Sequence, residues 1–378
     1  MIDVSLIILC AGNSTRFEHK SKKQWLRIDN EPLWLYVANR LNNNFSFKEI
    51  IIVSSPLELN YMKNFSDDYI YTTGGDTRQQ SLKNALQIVT SSKVMVTDVA
   101  RSCVPFDVLN RLIQAKDEAD CIVPVLDVSD TVIYGNETIN RDEVKLVQTP
   151  QLSDTNILKN ALNTNIEYTD DSSAIKANNG SVKYIKGDTQ SKKLTFGSEL
   201  KDIDCLKEPS KNFFTGFGYD VHAFEDKKPM FLGGVNIPCD YGFKAHSDGD
   251  VLIHSIIDAL LGAIGAGDIG EFFPDTEEKY KGADSKILLQ EIVSFVQSVG
   301  YEIVNIDALI VAQQPKINPH KQEIKSSLAK IINLPKQFIN IKATTSEKMG
   351  FIGRKEGVAV HSVATLKYYN WMEKQWIY

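Results

Sequence analysis

Asp220, His222 and His254 have the residue types and spacing of a metal site. In Phe217-Gly218-Tyr219-Asp220-Val221-His222 the acid and the histidine are two apart, so an extended chain puts both on one side. His254 follows Ala245-His246-Ser247-Asp248-Gly249-Asp250 and stands in an apolar segment that runs through Ile264. Asp250, His254 and Asp258 are spaced four apart and share one helical face. Such a face beside a buried helix is costly without compensation. Asp220, His222 and His254 supply one oxygen and two nitrogens, the three-ligand zinc set with an open position used by catalytic sites. Asp258 is expected to orient His254 from behind. The competing reading is capped turns and hydrogen-bonded core histidines. A lone histidine favours that reading, whereas a D-x-H pair plus a histidine on an acid-lined helix favours metal.

Further candidates surround this set. Gly265-Ala266-Gly267-Asp268-Ile269-Gly270 is a glycine-rich turn, with Phe273-Pro274-Asp275 beyond it. Ala343-Thr344-Thr345-Ser346-Glu347-Lys348 precedes Gly350-Phe351-Ile352-Gly353-Arg354. Hydroxyls and backbone amides there could hold a nucleotide diphosphate, and Glu347 a second divalent ion. Taken alone, T-T-S-E reads equally well as a helix cap.

The front of the chain offers phosphate chemistry. A first apolar run ends in Ala11-Gly12-Asn13-Ser14-Thr15-Arg16, followed by Lys22-Lys23-Gln24. Small residues after a strand let backbone N–H groups approach phosphate, and Arg16 and Lys23 can neutralise it. Thr73-Gly74-Gly75-Asp76-Thr77-Arg78-Gln79-Gln80-Ser81 opens a helix, where Asp76 and Ser81 serve either a base or a cap. Thr97-Asp98-Val99-Ala100-Arg101 places an acid where a phosphate-bound divalent ion could sit. Lys193, after Gly187-Asp188, is a further cation for a phosphoryl group.

These residues need a scaffold. Apolar runs at Val4–Cys10, Ile50–Val53, Val94–Thr97 and Cys121–Val125 alternate with amphipathic stretches near Leu33–Leu41, Gln80–Val89 and Phe106–Glu118. That alternation predicts an α/β fold: a Rossmann-like, mainly parallel sheet with helices on both faces and ligands beyond the carboxyl ends of its strands. A helix is expected over Ser198–Leu206, and polar Lys207–Asn212 reads as a linker. Five of the six histidines follow residue 214. Two domains fit the 378-residue length. A net charge of −6 argues against nucleic acid or an anionic membrane as main partner. The five cysteines are odd in number and scattered, which argues against a disulfide framework and for a reducing cytoplasm. The first apolar run is too short to span a bilayer.

In order and spacing, A-G-x-x-x-R, K-Q, G-G-D-x-R-x-x-S, D-x-A-R, T-P-Q at Thr149–Gln151 and K-L-T resemble the 2-C-methyl-D-erythritol 4-phosphate cytidylyltransferase family over residues 3–206. The resemblance implies that Ala11, Gly12, Gly75, Asp76, Ser81 and Asp98 line a CTP pocket, with Mg²⁺ on the phosphates. It gives Arg16, Lys23 and Lys193 the triphosphate and the transition state. Thr131 and Arg141 match positions that bind methylerythritol phosphate across a dimer interface.

Residues 214–366 resemble 2-C-methyl-D-erythritol 2,4-cyclodiphosphate synthase, through D-V-H-A-F, A-H-S-D-G-D, D-A-L-L-G-A, G-D-I-G, F-P-D-T, K-G-A-D-S and K-A-T-T-x-E-K. The expected domains are thus 1–206, a 207–213 linker, 214–366 of the synthase α/β (α+β) type, and a 367–378 extension. By this resemblance Asp220, His222 and His254 bind Zn²⁺. His246, Ser247, Asp268, Gly270 and Asp275 meet the methylerythritol portion and its phosphate, and Arg354 is counted with them. Ala312, Lys316, Ile317, Ala343, Thr344 and Thr345 hold the cytidine side, and Glu347 binds Mg²⁺ or Mn²⁺. The family is a trimer with sites between neighbours, so a homo-oligomer, trimer or hexamer, is implied. His361 stands where a glutamate near the trimer axis is common. The tail, with Trp371 and Trp376, is expected to dock on the protein itself.

Together the resemblances imply a bifunctional enzyme of the non-mevalonate isoprenoid pathway. They also imply that a kinase step between its two reactions is missing from the chain, which makes the kinase a possible partner. The alternatives are a nucleotidyltransferase for another polyol phosphate fused to a zinc phosphohydrolase, and a non-catalytic scaffold. The intact charged set speaks against the scaffold. A nicotinamide oxidoreductase is disfavoured, since the glycine fingerprint is absent.

Overall fold

The computed structural model describes residues 2–43, 45–245, 247–274, 276–280 and 282–373. The calls on His246, Asp275 and Trp376 lie outside the described residues. The chain divides into two compact units, Met1–Pro209 with Asn370–Tyr378, and Ser210–Tyr369.

In the first unit, β1 (Ile2–Leu9), β2 (Phe47–Ser54), β3 (Ile70–Thr73), β4 (Lys93–Asp98) and β5 (Cys121–Asp127) alternate with helices. These are α1 (Leu33–Asn42), α2 (Pro56–Lys63), α3 (Arg78–Leu86) and α4 (Phe106–Gln114). Short strands β6 (Lys145–Val147) and β7 (Gln151–Asp154) follow, then α5 (Thr155–Leu162), α6 (Asp171–Ala177) and β8 (Val182–Lys186). The sheet order is β6-β5-β7-β4-β1-β2-β3, with β8 also paired to β5. β1 runs parallel to β2 and β4, as β2 does to β3 and β5 to β8. The parallel-rich α/β architecture expected from the alternation is present. Its irregularities are β7, which runs antiparallel between β4 and β5, and β6, antiparallel to β5 at the edge. Ile7, Ile51, Val53, Val94 and Val96 of the sheet pack with Leu82, Ala85 and Leu86 of α3 in one buried core.

Two local expectations are corrected, on the helix over 198–206 and on the cysteines. The helix expected over 198–206 is a 3₁₀ turn, Gly197–Asp202. There Glu199 accepts from Thr195 N and Phe196 N (2.6 and 2.8 Å), which closes the chain tightly. The start of the supposed linker is pinned, because Asp29 N donates to the Glu208 carbonyl at 3.1 Å. A disulfide joins Cys103 to Cys205, 102 residues apart, while Cys10, Cys121 and Cys239 are free. Pairing over that separation leaves no mark in cysteine spacing. At the other end of the chain, Trp371 is 1% exposed and its Nε1 donates to the Arg27 carbonyl at 2.8 Å. Among the described residues no helix is long and apolar enough to cross a membrane.

The second unit is a sheet of order β10-β9-β13-β11-β12, formed by β9 (Phe213–Asp226), β10 (Tyr241–Phe243), β11 (Tyr301–Val311), β12 (Ile339–Thr344) and β13 (Gly357–Tyr368). Helices α7 (Val251–Ile264), α8 (Ser285–Ser298) and α9 (Lys321–Ile332) complete it. Along β9, Gly216 and Gly218 are buried, whereas Phe213, Phe217 and Tyr219 are exposed. The glycines let α7 come down on the strand. A Cβ on Gly216 would collide with the Ala259 carbonyl oxygen, and one on Gly218 with that of Ser255. Asp220 and His222 continue the same face by strand alternation, so the close approach brings them to α7 and His254.

Gly218→Ala therefore forces helix and strand apart. We expect it to destabilise the second unit by about 1–3 kcal/mol and to lower its zinc affinity. Chemical unfolding and metal titration check this; a wild-type midpoint and zinc affinity would refute the role given to the glycine.

Candidate active sites

The first cleft, of about 320 Å³, opens at the C-terminal ends of β1 and β4. Ala11, Gly12, Arg16, Lys23, Gly75, Asp76, Ser81, Asp98 and Lys193 all line it. The phosphate-binding candidates thus meet where a doubly wound sheet binds ligands. Gly74 packs so closely that a Cβ would meet Ala11 Cβ at 2.5 Å. Ser81 Oγ accepts from Gly75 N (3.1 Å), and α3 is capped by Thr77, whose side chain accepts from Gln80 N (3.1 Å). Asp76 and Ser81 are therefore not the cap that their positions allowed.

Asp98 is the electrostatic centre of this cleft. Its Oδ1 accepts from Arg78 Nε (3.1 Å) and its Oδ2 from Lys193 Nζ (2.5 Å). Burial raises its pKa, but the two cations outweigh burial and hold it at about 2. Arg78 is shared, since its Nη1 donates to Asp171 Oδ1 (2.8 Å), a side chain only 1% exposed. Lys23 Nζ donates to the Leu194 carbonyl at 3.0 Å. Burial, then the nearby charges of Lys193 and Arg16, lower the Lys23 pKa. Three cations that repel one another suit an anionic ligand. Thr131 and Arg141 do not line this cleft. Arg141 is exposed, with Nη1 donating to the Ser129 carbonyl (2.5 Å), beside the exposed hairpin formed by Val132–Tyr134 and Glu137–Ile139.

The second cleft, of about 720 Å³, gathers Asp220, His222, Ser247, His254 and Gly270. One ligand atom from each of Asp220, His222 and His254 lies within 4.8 Å of the others. Asp220 Oδ2 is 3.2 Å from both His222 Nε2 and His254 Nδ1. The outer contacts decide the tautomers. His222 Nδ1 is 3.0 Å from the Gly249 carbonyl oxygen, which can only accept, so Nδ1 carries the proton. Ser285 Oγ donates to Asp248 Oδ1 (2.5 Å) and so accepts from His254 Nε2 (3.0 Å). Two bare ring nitrogens then face one carboxylate oxygen. Lone pairs converging on a carboxylate call for a cation between them, so the donor set fits a zinc ion. Without a cation a proton on Nδ1 answers the same carboxylate: burial lowers the His254 pKa, and the hydrogen bond and charge of Asp220 more than reverse this, for a net rise.

Neighbouring acids have other work. Asp250 caps α7 and accepts from Gly233 N, Gly234 N and Ile253 N (2.9, 2.6 and 3.0 Å). Asp258 does not reach back to His254 as expected. Its Oδ1 accepts from Ile269 N (2.9 Å) and holds the turn after the helix, while Ser285 and Ser247 face His254. Asp268 caps the short helix Ile269–Phe272 by accepting from Glu271 N (3.1 Å).

The remaining rear candidates line neither cleft. They cluster where the parallel strands β11 and β12 end, with Ala312 N donating to the Thr344 carbonyl (2.9 Å). Ala343 ends β12 with Thr344, Ile317 is buried, and Lys316 is exposed beside it. Glu347 Oε1 accepts from Thr345 Oγ1 (2.8 Å). Arg354 is exposed and paired with Glu356 through Nε and Nη2 (2.7 and 3.1 Å).

The family model for 2-C-methyl-D-erythritol 4-phosphate cytidylyltransferase matches residues 4–206, and the YgbB family model matches residues 213–367. A bifunctional enzyme IspD/IspF of Aliarcobacter butzleri (strain RM4018) is 65% identical over 99% of this chain and 100% of that protein. The chain belongs to the bifunctional IspD/IspF family. Its counterpart in Campylobacter fetus subsp. fetus (strain 82-40) is 52% identical over 98% of this chain and 99% of that one. The solved structure of the bifunctional IspDF from Campylobacter jejuni superimposes with a TM-score of 0.88 at 50% identity, covering 97% of this chain and 99% of that one.

Within this IspD/IspF chain, sequence reading passed over three site residues. Arg78 and Ser285 stand inside quoted motifs, G-G-D-x-R-x-x-S and K-G-A-D-S, and their motif positions were the available signal. Asp171 lies 93 residues from Arg78 and had none.

Ser285→Ala removes the acceptor that fixes His254. We expect zinc affinity to fall by about 10- to 100-fold with the fold retained. Competition against a chromophoric chelator measures it, and unchanged affinity would assign His254 orientation elsewhere.

Proposed function

We propose that the first cleft performs the cytidylyl transfer of this isoprenoid-precursor enzyme and the second its cyclisation. The observation that supports the reading most is convergence: motifs spread from Ala11 to Lys193 share one cleft, and Asp220, His222 and His254 meet in another.

In the first, the phosphate of 2-C-methyl-D-erythritol 4-phosphate attacks the α-phosphorus of CTP. A new P–O bond forms, and the bond to the bridging oxygen breaks as pyrophosphate leaves. Arg16 and Lys23 hold the triphosphate, while Lys193 moves from Asp98 to the α-phosphate as charge builds there. Asp98, so released, is the residue that would hold Mg²⁺. Alignment in the cleft supplies much of the rate. Thr131 and Arg141 bind the methylerythritol phosphate in a neighbouring copy of a front dimer.

In the second, the 2-phosphate of 4-diphosphocytidyl-2-C-methyl-D-erythritol 2-phosphate attacks its own β-phosphorus, closing 2-C-methyl-D-erythritol 2,4-cyclodiphosphate and releasing CMP. The nucleophile is already anionic, so no strong base is required. Asp220, His222 and His254 would hold Zn²⁺, and Glu347 would hold Mg²⁺ or Mn²⁺. When bound, these ions align the phosphates and offset transition-state charge. Ser247, Gly270 and Asp268 orient the polyol end, with His246, Asp275 and Arg354. Ala312, Lys316, Ile317, Ala343, Thr344 and Thr345 hold cytidine for a site completed by a neighbour.

A trimer suits the exposed apolar strip of Phe213, Phe217, Tyr219 and Val221 on β9. His361 packs there, its ring tilted against Tyr219 and Phe217 with centroids 4.9 and 5.8 Å away. A trimeric rear unit with a dimeric front unit builds a hexamer. The reading places the enzyme in the cytoplasm, with the intervening kinase as a candidate partner.

Supplied with CTP, Mg²⁺ and methylerythritol phosphate, the protein is expected to release pyrophosphate, and CMP only once kinase and ATP are added. Hydrolysed phosphate in place of the cyclic diphosphate would favour a phosphohydrolase for the second unit.

Lys193→Ala or Arg16→Ala is expected to slow pyrophosphate release by about 10²- to 10³-fold. His222→Ala is expected to lose zinc and CMP release yet keep pyrophosphate release. Near-normal turnover in the first pair, or full zinc in the last, would sink these assignments.

A further inference from the structure

Glu58 lies outside every motif above, yet it is fully buried. It stands in the first turn of α2, behind Pro56, where the helix N-terminus favours a carboxylate. Its partners come from one short stretch. Lys22 Nζ donates to Oε1 (2.5 Å), and Gln24 Nε2 and Trp25 Nε1 donate to Oε2 (3.3 and 2.7 Å). The Trp25 ring is packed against Tyr61 and Phe65, with centroids 5.2 and 5.6 Å away. A buried carboxylate is tolerable only with such satisfaction, and removing its charge leaves the partners stranded.

Of those partners Gln24 lines the first cleft and ties Glu58 to its loops. Gln24 Nε2 also donates to the Gly12 carbonyl (3.0 Å). Gln24 Oε1 accepts from Ser14 Oγ (3.3 Å), and Ser14 Oγ accepts from Lys23 N (3.1 Å). Residues 12–14 and 22–25 are therefore one hydrogen-bonded assembly anchored on Glu58. Lys23 lies between two residues whose side chains go to that carboxylate. Its own side chain lines the cleft instead, with Nζ on the Leu194 carbonyl.

We infer that Glu58 is a positioning residue for cytidylyl transfer, deciding which of two adjacent lysines meets the triphosphate. Lys22 is neutralised against Glu58 and withdrawn. Lys23 is left as the cation of the pair that faces phosphate. The inference rests on the first cleft binding CTP, and wild-type pyrophosphate release tests that reading separately in the same assay.

The test uses the full chain with Glu58→Gln, which keeps the shape and one acceptor, and Glu58→Ala. The readouts are KM for CTP, KM for methylerythritol phosphate and kcat, all from pyrophosphate release. CMP release from the cyclisation substrate reports on the rear unit of the same molecules. The expected result for Glu58→Gln is a KM for CTP raised about tenfold, with KM for methylerythritol phosphate within about twofold. Glu58→Ala is expected to do more; should it fail to fold, Glu58→Gln decides. A wild-type KM for CTP in Glu58→Gln overturns the inference. So does an equal rise in both KM values with a lowered melting temperature, the mark of a purely structural carboxylate.

Discussion

Asp98 is a nearly buried carboxylate with a cation on each oxygen, and the arrangement of the first cleft follows from that constraint. Desolvation alone would push it toward the neutral acid. Arg78 and Lys193 prevent this, at the cost of tying two cations to one site. Arg78 is in turn held by Asp171, itself buried at the start of α6. Strand β4, helix α3, helix α6 and the Lys193 segment are thus linked through charge, in addition to the apolar core that the first three share. Of these groups Lys193 is the most exposed, with 40% of its side chain accessible, so it is the one that an incoming phosphate can draw away.

The second unit reaches its site by a steric route. Gly216 and Gly218 remove the side chains that would hold α7 off β9, and Ser255 Oγ seals the approach, hydrogen-bonded to the Gly218 carbonyl (3.3 Å), to which it donates, and to Ser362 Oγ (2.7 Å). Asp220 and His222 then arrive by strand alternation and His254 by helical position. The backbone carbonyl of Gly249 and the Ser285–Asp248 pair leave the correct nitrogens bare. Three donors from two elements converge because the elements touch and the tautomers are fixed.

This division explains what could be read in the residues beforehand. Asp220 and His222 share a face by a rule of local geometry, and the loop residues Ala11, Gly12 and Asp98 follow strands that hydrophobic patterning locates. Partners that come from distant segments are silent in this way. Nothing near Asp171 or Glu58 indicates Arg78 or Trp25, and nothing near Cys103 indicates Cys205. Asp258 shows the limit of helical spacing. The i, i+4 rule puts it on the His254 face, but the backbone of Ile269, folding back after the helix, supplies a closer donor.

The two clefts also answer the same ligand chemistry in opposite ways. Arg16, Lys23 and Lys193 furnish the first cleft with cations built into the chain, which repel one another. Asp220, His222 and His254 present lone pairs and negative charge, which by themselves reject phosphate and attract metal. The first site is therefore organised before any ion binds. The second acquires its positive charge only with the ion. A net charge of −6 is compatible with both, because neither site depends on the field of the whole protein. Screening by salt therefore acts first on the fixed cations of the front cleft, whose mutual repulsion already lowers the Lys23 pKa.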